Sequence, residues 1–268
     1  MRLWNGWGNE DSDLTMELSD GLRALLEALV GPGTALSQAT LNEVIAKVPN
    51  SRLGDHPLIK TEPEIRVRHA RGQSLPDWLE MHSGNVDTFP DGVGFPESSE
   101  QVRELLAYAK ENNLIVIPYG GGTSVVGHIN PETSDKPVLT IDMAKMNSML
   151  SIDTESQLAT FGAGAPGPVV EEELKKHGYT LGHFPQSWEL STLGGWVASR
   201  SSGQQSLHYG RIENMFAGGT IETLNGTMTI PTIPASSAGP DVREMILGSE
   251  GRMGIITEVT VRITPLPE

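Results

Sequence analysis

The sequence predicts an α+β fold of two α+β subdomains, preceded by an N-terminal helical region. Three observations predict it. Short apolar runs alternate with helix-periodic segments and Gly-rich loops as far as about Gly182. The last run sets Ile255, Val259, Val261 and Ile263 against Glu258, Thr260, Arg262 and Thr264. Such alternation implies one buried and one wet face, as in a mixed or antiparallel sheet. Between these parts lies a stretch of small hydroxyl residues and glycine, from Pro185 to Gly203. The expected boundaries are 1–90 for a helical and extended N-terminal region and 91–268 for the main unit, divided into approximately 91–150 and 151–268.

The elements follow in order. Leu22, Leu25, Leu26 and Leu29 recur at helical spacing, as do Leu41, Val44, Ile45 and Val48. Gly31-Pro-Gly33 separates the two helices. Residues 60–69 read as extended. A helix begins near Ser98, where Ser98 and Gln101 form a capping box. Val102, Leu105, Leu106 and Ala109 make its buried stripe, and Asn112-Asn113 its stop. The β-branched run from Leu114 leads into Pro118 as a buried strand. Residues 138–142 and 158–162 read as strands and 168–177 as a helix. A short helix follows Ser191 or Thr192, either of which can serve as N-cap. Asn225-Gly226 marks a hairpin, and 241–247 a helix.

The most informative loop is Pro118-Tyr-Gly-Gly-Gly-Thr-Ser124. Three successive glycines cost backbone entropy. They suit a chain that passes very close to something or turns with positive φ. Exposed N–H groups of Gly120, Gly121 and Gly122 would form an anion nest, with the hydroxyls of Thr123 and Ser124 beside it. The expected guest is a phosphate or pyrophosphate; a plain tight turn is the alternative. No Gly-Lys-Ser/Thr follows, so this is not a Walker A loop, and it is not G-x-G-x-x-G.

Three loops in this order resemble the PCMH-type flavin domain of the vanillyl-alcohol oxidase / p-cresol methylhydroxylase family. They are the glycine loop, Pro185 to Gly203, and Gly248-Ser-Glu-Gly-Arg-Met-Gly-Ile-Ile-Thr257. Trp4-Asn-Gly-Trp-Gly8, His69-Ala-Arg-Gly72 and Tyr209-Gly-Arg-Ile-Glu213 are similar to motifs of its alkylglycerone-phosphate synthase group. The resemblance runs from about Trp4 to Pro265. It implies FAD as cofactor. Pro118, Tyr119, Gly120, Gly121, Gly122, Thr123 and Ser124 would hold the pyrophosphate. Gln186, Ser187, Trp188, Glu189, Leu190, Ser191 and Thr192, with Ser199, Arg200, Ser201 and Ser202, would line the path of the ribityl, ring and phosphates. Gly248, Ser249, Glu250, Gly251, Gly254, Ile255 and Ile256 would close over the adenine side.

Arg200 is open to two readings, a bidentate phosphate ligand or a surface ion pair. Trp188 and Trp196 suit a core better than a flavin stack. Histidyl-flavin members of the family carry His in or near the glycine loop. Here Thr123 follows the glycines and there is no cysteine, so a non-covalent FAD is expected. Gln186 stands where the family often has Asp. Ala235 stands where the related segment has Arg, and a missing cation there puts the ether-lipid reaction in doubt.

The related synthases exchange a fatty acid for a fatty alcohol at flavin N5 without net redox change. Other members are 2-hydroxy-acid dehydrogenases acting on lactate or glycolate. In the family a cap domain follows the strand ending near Pro265, and in the alkylglycerone-phosphate synthases that later part carries the catalytic Tyr and a His cluster. The catalytic residues are therefore not assignable here. The chain is expected to be an incomplete active site, or a non-catalytic FAD-binding subunit needing a partner. A homodimer or a missing cap domain would complete it.

The bulk numbers narrow the rest. A chain of 268 residues can bury a full core. A net charge of −15 argues against nucleic acid and anionic membrane as partners. The resemblance implies a small-molecule, lipid-like substrate. No apolar run reaches transmembrane length, and the start lacks a signal region, so a cytoplasmic location is expected. The scattered histidines show no metal-ligand spacing, so no metal is expected. Glu171-Glu-Glu173 with Lys175-Lys176 reads as a solvated helix face.

Overall fold

The computed structural model describes residues 2–11, 18–234 and 237–267. Ala235 lies outside the described residues. The N-terminal region holds helices α1 (Asp20–Val30), α2 (Leu41–Ile45), α3 (Pro63–Arg68) and α4 (Leu75–Ser83), with a short strand β1 (Ile59–Lys60). Then come β2 (Gly92–Gly94), α5 (Ser99–Glu111), β3 (Ile115–Tyr119) and β4 (Val138–Asp142). The four strands form one sheet in the order β1-β2-β4-β3. Within it β2, β4 and β3 run parallel, and β1 joins antiparallel.

The second subdomain is built on β5 (Met149–Asp153), β6 (Leu158–Gly162), β8 (Phe216–Thr223), β9 (Gly226–Ile230) and β10 (Ile255–Arg262). These make an antiparallel sheet ordered β5-β6-β10-β8-β9. Helices α6 (Gly167–Lys176), α7 (Leu193–Ser199), α8 (Ser206–Tyr209), α9 (Ile212–Met215) and α10 (Val242–Ile246) complete it. A two-stranded ribbon pairs β7 (Tyr179–Thr180) with β11 (Thr264–Pro265). Among the described residues no helix is long and apolar enough to cross a membrane.

Each subdomain has its own core. Val102, Leu105, Leu106 and Ala109 of α5 pack on Leu139 and Ile141 of β4. Phe161, Leu193, Trp196, Val197, Phe216 and Val259 centre the second. A third, smaller cluster joins Val44, Val67, Met81 and Val86, with Trp4 against it. The entrance to β10 ties the two large cores together. Ile255 packs into the first and its neighbour Ile256 into the second. Arg103 of α5 adds a cross-link by donating to the fully buried Glu222 of β8 at 2.8 Å.

Three local expectations are corrected and one capped helix is added. Residues 60–69 are not extended throughout, because α3 starts at Pro63. Proline at the first helical position presets φ and loses no hydrogen bond, and Arg66 and Arg68 stand in the last turn. Helix α4 carries a full capping box of Ser74 and Asp77 that the periodicity did not reveal. At α5 the Ser98 hydroxyl accepts from Gln101 N, but the Gln101 side chain accepts from Glu97 N instead of closing the box. Glu171 is not on a solvated face. It is buried, and its carboxylate accepts from Thr180 Oγ1 at 2.7 Å, Leu181 N at 3.1 Å and Gly182 N at 3.0 Å.

Candidate functional site

The glycine loop leaves the end of β3, and the second loop closes on it. A Cβ on Gly121 would stand 2.7 Å from the Leu190 carbonyl carbon and 2.8 Å from Ser191 Cα. A Cβ on Gly120 would collide with Thr192 Oγ1. Gly122 has φ +63 and lies against the Tyr119 hydroxyl. Only glycine meets these demands, two of space and one of conformation. Thr192 in turn is the N-cap of α7, accepting from Gly195 N at 3.3 Å. The third loop docks on the far end of α7, with Gly248 N donating to Val197 O and Glu250 N to Ala198 O. It also reaches the first loop, since Gly251, at φ +83, lies against Pro118.

The three loops enclose a cavity of about 350 Å³. Of the residues expected there, Pro118, Tyr119, Gly120, Gly121, Gly122, Thr123, Ser124, Ser187, Ser191, Thr192, Ser199, Ser201, Glu250, Gly251, Gly254, Ile255 and Ile256 line it. Gln186, Trp188, Glu189, Leu190, Arg200, Ser202, Gly248 and Ser249 do not. Leu190 acts from behind, through its backbone against Gly121. Arg200 forms ion pairs with Glu213 at 2.9 Å and Glu244 at 2.6 Å, the surface alternative of its two readings. Trp188 packs half-buried against Phe184 and the second core.

Val125, Val126, His128, Met143, Gly194 and Trp196 also line the cavity. The i,i+4 spacing of Ser124 and His128 was the available signal for His128. Its Nδ1 stands 3.2 Å from Ser124 Oγ and 3.6 Å from Glu250 Oε2. Trp196 is 2% exposed, and its indole N–H donates to Ser191 Oγ at 2.7 Å. Ser191 Oγ donates onward to Ser187 O. A core tryptophan thus orients a cavity hydroxyl.

The other motifs support the glycine loop from behind. His69 Nε2 is 3.0 Å from Asp142 Oδ2 at the end of β4, and its ring tilts on Tyr119 at 4.6 Å. Gln73 N donates to Ser124 O. Arg2 donates to Gly121 O, and Arg68 Nη1 holds Arg2 O at 2.8 Å. Burial pushes the Tyr119 phenol up to about 12, so it stays protonated at neutral pH.

The backbone amides of Gly121, Gly122, Thr123 and Ser124 donate to no protein acceptor among the described residues. Orphan amides that line a cavity call for an outside acceptor, and a run of them suits a phosphate oxygen. The lining carries no Lys or Arg, and the nearest guanidinium on the loop is that of Arg2, bonded to Gly121 O. A dinucleotide pyrophosphate fits this donor set. Among the described residues no cluster of three or more His, Asp or Glu side chains could hold a metal ion.

Comparison with known proteins agrees with the geometry. Residues 90–230 match the model of the FAD binding domain. The chain is 40% identical over 210 residues to an alkyldihydroxyacetonephosphate synthase of Dictyostelium discoideum, covering 78% of this chain and 34% of that one. It is 33% identical over 298 residues to the synthase of Caenorhabditis elegans, covering 99% and 49%. A solved alkyldihydroxyacetonephosphate synthase superposes with a TM-score of 0.85 at 32% identity, covering all of this chain and 55% of that one. The chain therefore spans between a third and a half of the length of these curated relatives. With the loops, the orphan amides and the matched model in agreement, the chain belongs to the FAD-binding domain family, and FAD is its cofactor.

Proposed function

We propose that this chain is the FAD-holding portion of an FAD-linked enzyme of the alkylglycerone-phosphate synthase type. The observation that carries it is the run of orphan amides from Gly121 to Ser124, residues that line a cavity closed by two further loops. Those amides, with the hydroxyls of Thr123 and Ser124, would hold the pyrophosphate. Ser191, Ser199 and Ser201 offer hydroxyls along the ribityl and ring path, and the backbone of Ile255 and Ile256 serves the adenine side. FAD is held non-covalently and supplies the reactive ring. The chain's own groups bind it, orient it and keep water from one face.

In this reading the domain works in the cytoplasm on a small, lipid-like substrate. A second copy or a cap segment closes the open side of the ring. The test is titration of the apo-protein with FAD, FMN and NAD, followed by flavin fluorescence. The expected result is retention of FAD alone through gel filtration; equal or tighter binding of FMN overturns the pyrophosphate assignment. Mixing the loaded protein with an acyl-dihydroxyacetone phosphate and, separately, with lactate or glycolate then separates synthase-type chemistry from 2-hydroxy-acid oxidation. Flavin bleaching by the hydroxy acids alone would favour the oxidation.

A further inference from the structure

His183 is fully buried and belongs to no motif singled out in the sequence. Its Nε2 lies 2.7 Å from Ser201 Oγ, and Ser201 lines the cavity. Its Nδ1 is buried without a hydrogen-bond partner. The ring packs edge-on against Trp196 at 5.0 Å. The segment before it is fixed by Glu171, which accepts from Thr180, Leu181 and Gly182. Gly182, at φ +73, packs directly on the Tyr209 ring. The segment after it is fixed by Gln204 N donating to Phe184 O at 2.8 Å. A buried imidazole is thus held on both sides and has one partner, a hydroxyl on the cavity wall.

We infer that His183 is a positioning residue for the flavin nucleotide, fixing the Ser201 hydroxyl so that it donates into the cavity. The inference rests on the reading of the cavity as the FAD site. Burial lowers the His183 pKa to about 4, so the ring is neutral at working pH and carries one N–H. A buried N–H without an acceptor is rarer than a bare lone pair. The proton therefore sits on Nε2, and Nδ1 is the bare nitrogen. Nε2–H donates to Ser201 Oγ. The Ser201 oxygen, having accepted, keeps its own hydrogen free to donate into the cavity, where a flavin-nucleotide oxygen would accept it. A serine without His183 would rotate freely and lose that bias.

The test is a double-mutant cycle on FAD affinity, using the whole chain and fluorescence titration. Ser201→Ala is expected to weaken FAD about tenfold, the scale of one hydrogen bond, and to lower the melting temperature of the FAD-free protein without unfolding it, since His183 Nε2–H loses its acceptor. His183→Ala is expected to weaken FAD by a similar factor in the native background and less than twofold in the Ser201→Ala background. His183→Gln, which keeps a donor, is expected to recover part of the loss. Additive effects overturn the inference, as does unchanged affinity in the folded Ser201→Ala variant. If His183→Ala does not fold, His183→Gln in the native and Ser201→Ala backgrounds closes the cycle, and unchanged affinity in the folded Ser201→Ala variant still overturns the inference. Failure of the unsubstituted protein to bind FAD overturns the reading of the cavity itself and is seen before any variant is made.

Discussion

The backbone of Leu190 closes on Gly121 so tightly that a Cβ on Gly121 would stand 2.7 Å from the Leu190 carbonyl carbon. Gly121 is not among the positive-φ residues, so space and not conformation requires the glycine. The Gly121→Ala variant must push the second loop away from the first. We expect a loss of about 1–3 kcal/mol in stability from overpacking and loss of FAD on gel filtration. Gly33→Ala is the control, since a Cβ there meets nothing within 4 Å. A Gly121→Ala protein that stays yellow with an unchanged melting temperature would disprove the loop contact.

The buried His183 gives stability a pH dependence of fixed sign. Its folded pKa of about 4 lies below the ordinary 6.5, with burial as the cause. Between those values the unfolded chain binds a proton that the native protein refuses. Stability therefore falls as pH falls from 6.5 and levels off below about 4. The full drop is about 3 kcal/mol at ~1.4 kcal/mol per pH unit. Urea unfolding across pH 7 to 4 should show the slope, and His183→Gln should flatten it. An equal slope in the variant would assign the effect elsewhere.

The cavity was legible where its chemistry is local. Gly120, Gly121 and Gly122 announce close approach by composition, and Thr123 and Ser124 announce donors. An N-cap at Ser191 or Thr192 follows from their place before a small-residue helix, and the fold gives it to Thr192. Residues whose role comes from packing were not legible. Glu171 stands in a run of three glutamates and two lysines, and only the fold turns it inward onto β7. His183 gives no local signal, because its partner is 18 positions on. Arg200 sits among small cavity residues, yet it adopts φ +54 as the C-cap of α7 and turns to Glu213 and Glu244. The leucines of α1 have helical spacing, but every described residue of that helix is exposed or nearly so.

Glu171 makes a sharp stability prediction. Its carboxylate is 3% exposed and satisfies two amides and one hydroxyl of 180–182. Removing it leaves the buried Leu181 N–H and the Thr180 hydroxyl without an acceptor, at ~1–3 kcal/mol each before relaxation, while Gly182 N keeps Thr180 Oγ1 at 3.0 Å. Glu171→Ala should cost about 3 kcal/mol, whereas Glu173→Ala, on the same helix and bonded to Lys176 at the surface, should cost less than about 1 kcal/mol. Amide exchange at Leu181 and Gly182 should accelerate in the first variant only. Similar melting temperatures for the two would contradict the buried role.

The linkage of FAD to protein is testable by acid precipitation. The chain has no cysteine, and Thr123 follows the glycines. Of the seven histidines, only His128 lines the cavity. Its Nδ1 is engaged by the Ser124 hydroxyl at 3.2 Å with Glu250 at 3.6 Å beyond, so that nitrogen is already directed at the loop wall. All flavin should appear in the supernatant after acid treatment, leaving a colourless pellet. His128→Ala should leave that partition unchanged while weakening FAD modestly through loss of the Ser124 contact. A yellow pellet that turns colourless in His128→Ala would establish a histidyl link at this position.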